Sequence, residues 1–557
     1  MRVGEQTNFI RLKDVKQGPL MDWMLTSGLT QEEVALIQRP FAFVGKPPSD
    51  ARPPQIVLDL RGKEDARLAM SSTHLVASLC RRGSARCFHS DHGRASPRAP
   101  LRTWRILIPS AAMSLPSLAE ESRRLCQSLL RMDTTNPPGN ERICAQFLER
   151  ELREVGLAPV LLEAEPARTN LVVRHKGTGK LPPLLLTAHL DVVEADPTKW
   201  RVPPFSGAEL EGCLWGRGAI DMKNMAAMCT AIMRRLATTG TRLDRDVIFA
   251  AVADEEAGCD LGSRFLVEQH RALVEAEYAI GESGGFSLHL GGTTFYPVQV
   301  AEKGFCWVRA RITGEPGHGS MPRHDSVITR LGEALSKLGA TQLPLHATTH
   351  VTEFLDALRA RQPTLIQPLM KLLARPQLLA RVARLVPGAS LSRSFSALLA
   401  NTAAATVVRA GAKTNVIPGV AEFEIDGRTL PGQTDEDLLR ELRAVLGPEV
   451  ELEVIKSAPP VVTEPVASPV YDSIKRQIEA REPAAVVLPY LIPGFTDAKY
   501  FTRMGARWYG FSPVKIEKDA GIRFADMFHG HNERVPVAGL AWGTEVLDAV
   551  VREISTV

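Results

Sequence analysis

At 557 residues the chain is too long for one hydrophobic core, so two or three domains are expected. Apolar content of 44% and charged content of 23% are those of an ordinary globular protein, which excludes a disordered or fibrous chain. The formal charge of +4 divides into +7 over residues 1–112 and −3 over the rest, so the motif-bearing part offers no basic surface for nucleic acid.

The eight cysteines contain no C-x-x-C pair, which argues against a disulfide framework or a zinc ribbon. No apolar run approaches the ~18–20 residues that a membrane helix needs. The opening MRVGEQTNFIRLKD lacks the apolar core of a secretion signal, and a cytoplasmic location is the expectation.

Residues 1–112 carry breaker clusters (KPPSDARPP, RASPRAP) and an Arg/Ser-rich stretch, with helical periodicity only in pieces such as LTQEEVALIQ. They read as an atypical extension, loosely ordered or lying upstream of the natural start at Met113. A helix is expected over about 115–131, stopped by DTTNPPGNE, and a second across ERICAQFLERELREVG. Strand-like runs then alternate with helices: NLVVRHKG, PPLLLTAHLDVV, RDVIFAAVADEE and AEYAIGES, with DMKNMAAMCTAIMRRLATTG among the helices between them. Short apolar runs of this kind predict an α/β domain with a mostly parallel sheet buried on both faces.

Near residue 300 the pattern changes. FCWVRARITGEPGHGS, AEFEIDGRTLPG and VELEVIKSA alternate as half-exposed strands do, and a helix over 435–446 is bracketed by Thr434 and Gly447. A Leu/Ala/Arg-rich helical section lies at about 350–400. The simplest topology is a catalytic domain over 113–300 and 457–557, interrupted by an α+β insertion over 301–456.

Five metal-type side chains are spread along this frame: His189 in TAHLDVV, Asp221 in GRGAIDMK, Glu256 in ADEEAG, Glu282 in IGESGG and His529 in FHGHNERV. Singly, most have an ordinary alternative. His189 and Asp191 could be a surface pair, Asp221 a helix N-cap, and His531 competes with His529. The strongest local signal is VIFAAVADEEAG, where three acids follow a buried strand and repel one another unless cations intervene. There Glu256 is assigned as a ligand and Glu255 as a general base. Two histidines and three carboxylates suit a pair of zinc-like ions sharing one carboxylate, with a spare carboxylate to take a proton from water. That combination points to hydrolysis.

Taken together and in this order, over roughly residues 114–557, these motifs closely resemble the aminoacylase/carboxypeptidase family of co-catalytic zinc hydrolases, nearest its carboxypeptidase S-like branch. The resemblance implies a zinc-exopeptidase α/β fold with an inserted lid and dimerisation domain. It implies two zinc ions, or cobalt or manganese, one held by His189, Asp221 and Glu282 and the other by Asp221, Glu256 and His529. His529 is preferred to His531 because the family's ligand precedes a Glu by four residues, as His529 precedes Glu533.

Asp191 would orient His189, and Glu255 would be the base. From the lid, His318 would stabilise the oxyanion, supplied by the neighbouring subunit in dimeric relatives. Asn415 and Arg428 would hold the substrate's backbone and carboxylate, and Gly494, Thr496 and Asp497 would form a substrate-contacting loop. The implied reaction is amide hydrolysis of a small N-acyl amino acid or a short peptide with a free carboxylate. The alternatives are a short-acyl deacetylase or desuccinylase of amino-acid biosynthesis, or an inactive binding protein on the same fold.

Overall fold

The strands that carry the motifs are mostly apolar and buried toward their carboxyl ends: residues 184–189 of Leu181–His189, 247–252 of Arg245–Val252 and all of Tyr278–Gly281 are buried. In the computed structural model the described residues are 116–556, apart from 291, 347, 362–366, 368–396 and 523, together with five short strands before them. Residues 1–116 and 117–557 form two separate units. In the first, strands Phe9–Arg11, Ala42–Val44, Gln55–Asp59, Arg86–His89 and Thr103–Leu107 pair as an antiparallel sheet in the order first, second, third, fifth, fourth. The periodic piece LTQEEVALIQ, the proposed start at Met113 and most of the 350–400 helical section lie outside the described residues.

The second unit opens with helix α1 (Leu118–Leu130), capped by Ser117 and Glu120 in a reciprocal box, and α2 (Arg142–Glu154). Its large sheet contains β1 (Val160–Glu165), β2 (Arg168–His175), β3 (Leu181–His189), β4 (Arg245–Val252), β5 (Tyr278–Gly281), β6 (Leu288–Leu290), β7 (Thr293–Glu302), β8 (Val486–Ile492) and β9 (Arg507–Gly510). The order is β6-β7-β9-β5-β3-β4-β2-β1, with β8 and Val461–Val462 both paired to β7. The centre, β9-β5-β3-β4, is parallel and the edge β2-β1 is antiparallel.

The period of two along these strands divides the residues between two cores. Leu184, Leu186, Val247, Phe249 and Ala251 face one that includes α1, α2, α3 (Lys223–Thr239) and α4 (Val537–Ile554). Leu185, Ile248, Ala250 and Val252 face the other, built with Leu266, Val274, Phe501 and Trp508. Both faces are therefore dry, and the continuous apolar runs of the sequence follow from that. Parallel register sets Val252 beside His189 and Ile280 beside Leu186, so the motifs after β3, β4 and β5 emerge at one edge of the sheet. Ligand crevices of open α/β sheets form at that edge.

From β7 the chain passes through Lys303 into a second, four-stranded antiparallel sheet. Its strands are Thr402–Ala410, Val420–Thr429, Gly304–Thr313 and Glu451–Ala458, in that spatial order. Helices Val327–Ala340 and Asp435–Leu446 cover one face, where Val308, Ala310, Ile312, Phe423, Ile425 and Leu438 form a core of their own. The chain returns through Val461–Val462, which pairs with the end of β7, so the two crossings run side by side. No helix among the described residues is long and apolar enough to cross a membrane.

Helix α4 meets the loop after β9 at a glycine. A Cβ on Gly543 would lie 1.8 Å from the Pro513 carbonyl oxygen. Helix propensity alone favours Gly543→Ala by about 1 kcal/mol. Here the steric clash outweighs it, and the variant should lose roughly 1–3 kcal/mol in a urea titration read by fluorescence. An unchanged or raised midpoint would show that the contact is not tight.

Candidate active site

His189 is the last residue of β3 and fully buried. Its Nδ1 lies 3.0 Å from the Asp191 carbonyl oxygen and 3.5 Å from Asp191 Oδ1, so Asp191 holds the ring mainly through its backbone. The other nitrogen, Nε2, points to Asp221 Oδ1 at 3.1 Å and Glu282 Oε2 at 3.8 Å. Asp221 turns its second oxygen to His529 Nε2 at 3.5 Å, and that imidazole lies 3.1 Å from Glu256 Oε2. Two groups of three donors result, His189–Asp221–Glu282 and Asp221–Glu256–His529, with the donor atoms of each within 4.8 Å of one another. Asp221 belongs to both.

Local structure explains how each side chain gets there. Asp221 does not cap α3; the cap position belongs to Met222, with no side-chain bond. It is held instead by Glu533, which accepts from the backbone N–H groups of Gly218, Ile220 and Asp221 and from Arg217 Nη1 at 2.8 Å. Burial pushes the Glu533 carboxyl up to about 7, against the pull of Arg217 and those N–H groups. Glu255 and Glu256 lie on a single helical turn after Asp254. Their N–H groups donate to the two oxygens of Asp191 at 3.2 and 3.1 Å. Asp191 therefore organises both the imidazole and the acidic turn. His529 stands exposed at the mouth with φ +53°, whereas His531 joins neither donor group.

A cavity of about 470 Å³ opens over these groups. Asp221, Glu255, Glu256, Glu282 and His529 line it beside Arg428 and Gly494, and Phe286, Phe495, Phe524 and Phe528 give it an aromatic wall. Phe286 stacks on Phe524 with centroids 3.9 Å apart, and Phe528 meets Phe524 edge-on. Nothing in the sequence pattern distinguished these rings from core residues, since each lies in a short run without clear period.

Arg428 is already engaged. Its Nε and Nη2 fork onto Asp426 at 2.8 and 3.0 Å, and the guanidinium lies over the Phe495 ring at 4.7 Å. Thr496 and Asp497 are buried and do not line the cavity. The Thr496 hydroxyl donates to Glu302 at 2.6 Å. His318 and Asn415 are exposed and sit together where Gly317–His318 pairs with Val416–Ile417, two segments distant in the chain, and Gly319 N–H donates to the Asn415 carbonyl. Neither lines the cavity of its own chain.

The electrostatics call for cations. Burial raises Glu255 well above the usual carboxylate range, and the charge of Glu282 adds to that. Glu282 is pushed up to about 7 by burial and by the charges of Asp221 and Asp497, against the pull of His189. One of its oxygens, Oε1, is buried with no hydrogen-bond partner. Burial opposes charge on His189, yet Asp191, Asp221 and Glu282 outweigh it and hold the imidazole well above its ordinary value. Asp221 and Glu256 raise His529 to about 10. An imidazole held between carboxylates keeps a proton where a metal ion would otherwise sit, and surrenders it on metal binding. Imidazole and carboxylate donors, three to a group with one carboxylate shared, fit a pair of divalent transition-metal ions.

Comparison with known proteins agrees with this geometry. Over 370 residues the chain is 30% identical to the N-fatty-acyl-amino acid synthase/hydrolase PM20D1 of Xenopus tropicalis, covering 64% of this chain and 69% of that protein. It is 26% identical to aminoacylase-1A of Rattus norvegicus, covering 79% and 97% of the two chains. The fold is that of the M20 family metallo-carboxypeptidase Sso-CP2 from Sulfolobus solfataricus, with a TM-score of 0.60 at 16% identity over 78% of this chain and 99% of that one. Residues 185–553, which hold all five metal-type side chains, match peptidase family M20/M25/M40, and the chain is a hydrolase belonging to that family.

Proposed function

We propose that the cavity hydrolyses the amide bond of an N-acyl amino acid or a short peptide with a free carboxylate. The observation that carries the reading is the pair of three-donor groups sharing Asp221, with Glu255 in the same cavity and in neither group. In this reading His189, Asp221 and Glu282 hold one ion, and Asp221, Glu256 and His529 hold the other, zinc being the first choice for such donors and cobalt or manganese the alternatives. When bound, the ions supply Lewis acidity to water and to the substrate carbonyl.

The chain's own groups do the rest. Glu255 takes a proton from the attacking water at its carboxylate and delivers it to the nitrogen of the leaving amine. Its raised proton affinity suits both halves of that task. Arg428 lies on the cavity wall with Nη1 outside its fork to Asp426, so the substrate carboxylate either adds to that pair or displaces Asp426. Gly494, also on the wall, leaves room for the substrate backbone, since a Cβ there would meet nothing within 4 Å. Thr496 and Asp497 shape this loop from behind.

His318 and Asn415 are exposed beside the pairing of Gly317–His318 with Val416–Ile417, which favours their delivery to the cavity of a second copy in a homodimer made through the inserted lid. The four phenylalanines of the wall favour a bulky apolar acyl group over acetyl or succinyl, in keeping with the fatty-acyl chemistry in the name of the Xenopus relative. The six described cysteines are buried and unpaired, which agrees with a reducing compartment such as the cytoplasm.

The deciding experiment is a hydrolysis panel of N-acetyl, N-long-acyl and dipeptide substrates, with metal content measured on the same sample. Long-acyl amino acids should be the best substrates, activity should vanish with chelator and zinc should restore it. Glu255→Ala should lower kcat by about 10²–10⁴-fold while about two ions per chain remain bound. Appreciable residual activity would sink the base assignment. Asp221→Ala should cost both ions by elemental analysis, and a variant still carrying two would show that the shared carboxylate lies elsewhere.

A further inference from the structure

The DTTNPPGNE segment does more than stop a helix. Asn136, at its centre, is docked beside the Asp191 strand end, its N–H donating to the Val192 carbonyl at 2.9 Å. Its side-chain Nδ2 donates to Asp191 Oδ2 at 2.8 Å and reaches Asp254 Oδ1 at 3.3 Å. Glu141, at the segment's end, is fully buried and accepts both Nε and Nη2 of Arg168, at 2.9 and 2.8 Å. The same Nη2 donates to Asp254 Oδ1 at 2.9 Å, and Glu141 also accepts the Asp254 N–H at 3.3 Å. Between them the backbone makes room, for a Cβ on Gly139 would fall 2.3 Å from Arg168 Nε. Since Glu141 pins that guanidinium, it has nowhere to retreat.

These contacts converge on one backbone conformation. Asp254 has φ +67°, a left-handed setting that L residues other than glycine adopt sparingly, with Asp among the more tolerant. Its carboxylate also accepts the Leu261 N–H, and its carbonyl accepts the Cys259 N–H. The setting matters because the next two residues are Glu255 and Glu256, whose N–H groups both reach Asp191. A few tens of degrees at Asp254 would swing both carboxylates off their marks.

We propose that Arg168, seated by Glu141 and Gly139 and bridged to Asp191 through Asp254 and Asn136, is the positioning residue for the Glu255–Glu256 turn. It touches neither substrate nor either donor group. Its task is to lock Asp254 in the left-handed conformation, which a planar fork with fixed donor directions can do and a point charge cannot. The opposing account is that Arg168 merely neutralises two buried carboxylates, and any cation would then serve. This inference rests on the reading of Glu255 as base.

Arg168→Lys separates the accounts because it keeps the charge and loses the fork. Positioning predicts a kcat lowered roughly 100-fold with KM little changed, the loss expected when a catalytic group is misplaced by about 1 Å. It also predicts faster amide hydrogen exchange in a peptide spanning residues 252–262, measured by mass spectrometry on the metal-loaded protein. In Arg168→Ala, added methylguanidinium should restore part of the lost kcat. If the alanine variant does not fold, the lysine variant's exchange and kinetics decide alone. A lysine variant with near wild-type kcat and unchanged exchange would overturn the proposal. Glu255→Ala assayed alongside locates any failure: inactive Glu255→Ala with fully active Arg168→Lys removes the clamp alone, whereas activity in both removes the base reading and the clamp with it.

Discussion

Negative charge gathered at one edge of a dry sheet is the constraint around which this molecule is arranged. Asp221, Glu255, Glu256 and Glu282 share one cavity, and Asp191 and Asp254 lie buried directly behind it. Buried carboxylates repel one another and lose hydration, so such a set persists only where each oxygen has a donor or a cation. The structure meets this in two ways. Carboxylates behind the cavity take N–H groups, Asn136 and Arg168; those facing it take two imidazoles and leave the remaining donor positions for metal ions.

Division of labour among chemically similar residues follows from their surroundings. Asp191 and Glu533 each accept two or more backbone N–H groups and act as struts, one under the Glu255–Glu256 turn and one under the Asp221 loop. Asp221 and Glu282 instead turn their oxygens toward the two imidazoles. Glu255 is left over on the cavity wall, and its burial beside Glu282 raises its proton affinity. The four-stranded sheet contributes Arg428 to the cavity wall, while His318 and Asn415 are exposed at the separate two-stranded pairing of Gly317–His318 with Val416–Ile417.

Much of the fold was legible because its signals are local. Thr434 and Asp437 close a reciprocal cap, and the helix runs over Asp435–Leu446 as their spacing predicts. Continuous apolar runs marked β3, β4 and β5 as strands buried on both faces, and the alternating pattern of FCWVRARIT marked a strand with one face covered. Legibility failed where meaning depends on a distant partner. DTTNPPGNE reads as a breaker until Glu141 is seen against Arg168 and Asp254. Arg428 reads as a free fork until Asp426, two residues away on the same strand, is seen to occupy it. Thr496 and Asp497 read as a loop on the cavity, whereas the fold buries them behind it.

By itself the sequence determined the chemical inventory: which residues can ligate, which can move a proton, and the order in which the chain presents them at strand ends. Order along a chain says nothing about distance across it. Choosing His529 over His531 on geometry, finding Asp221 between two donor groups rather than capping a helix, and placing Glu255 in the cavity outside both groups required the tertiary structure. The physical reason is that each of those roles is set by two or three atoms meeting within 4.8 Å, and the residues that supply them, as Asp221 and His529 do, lie up to 308 positions apart.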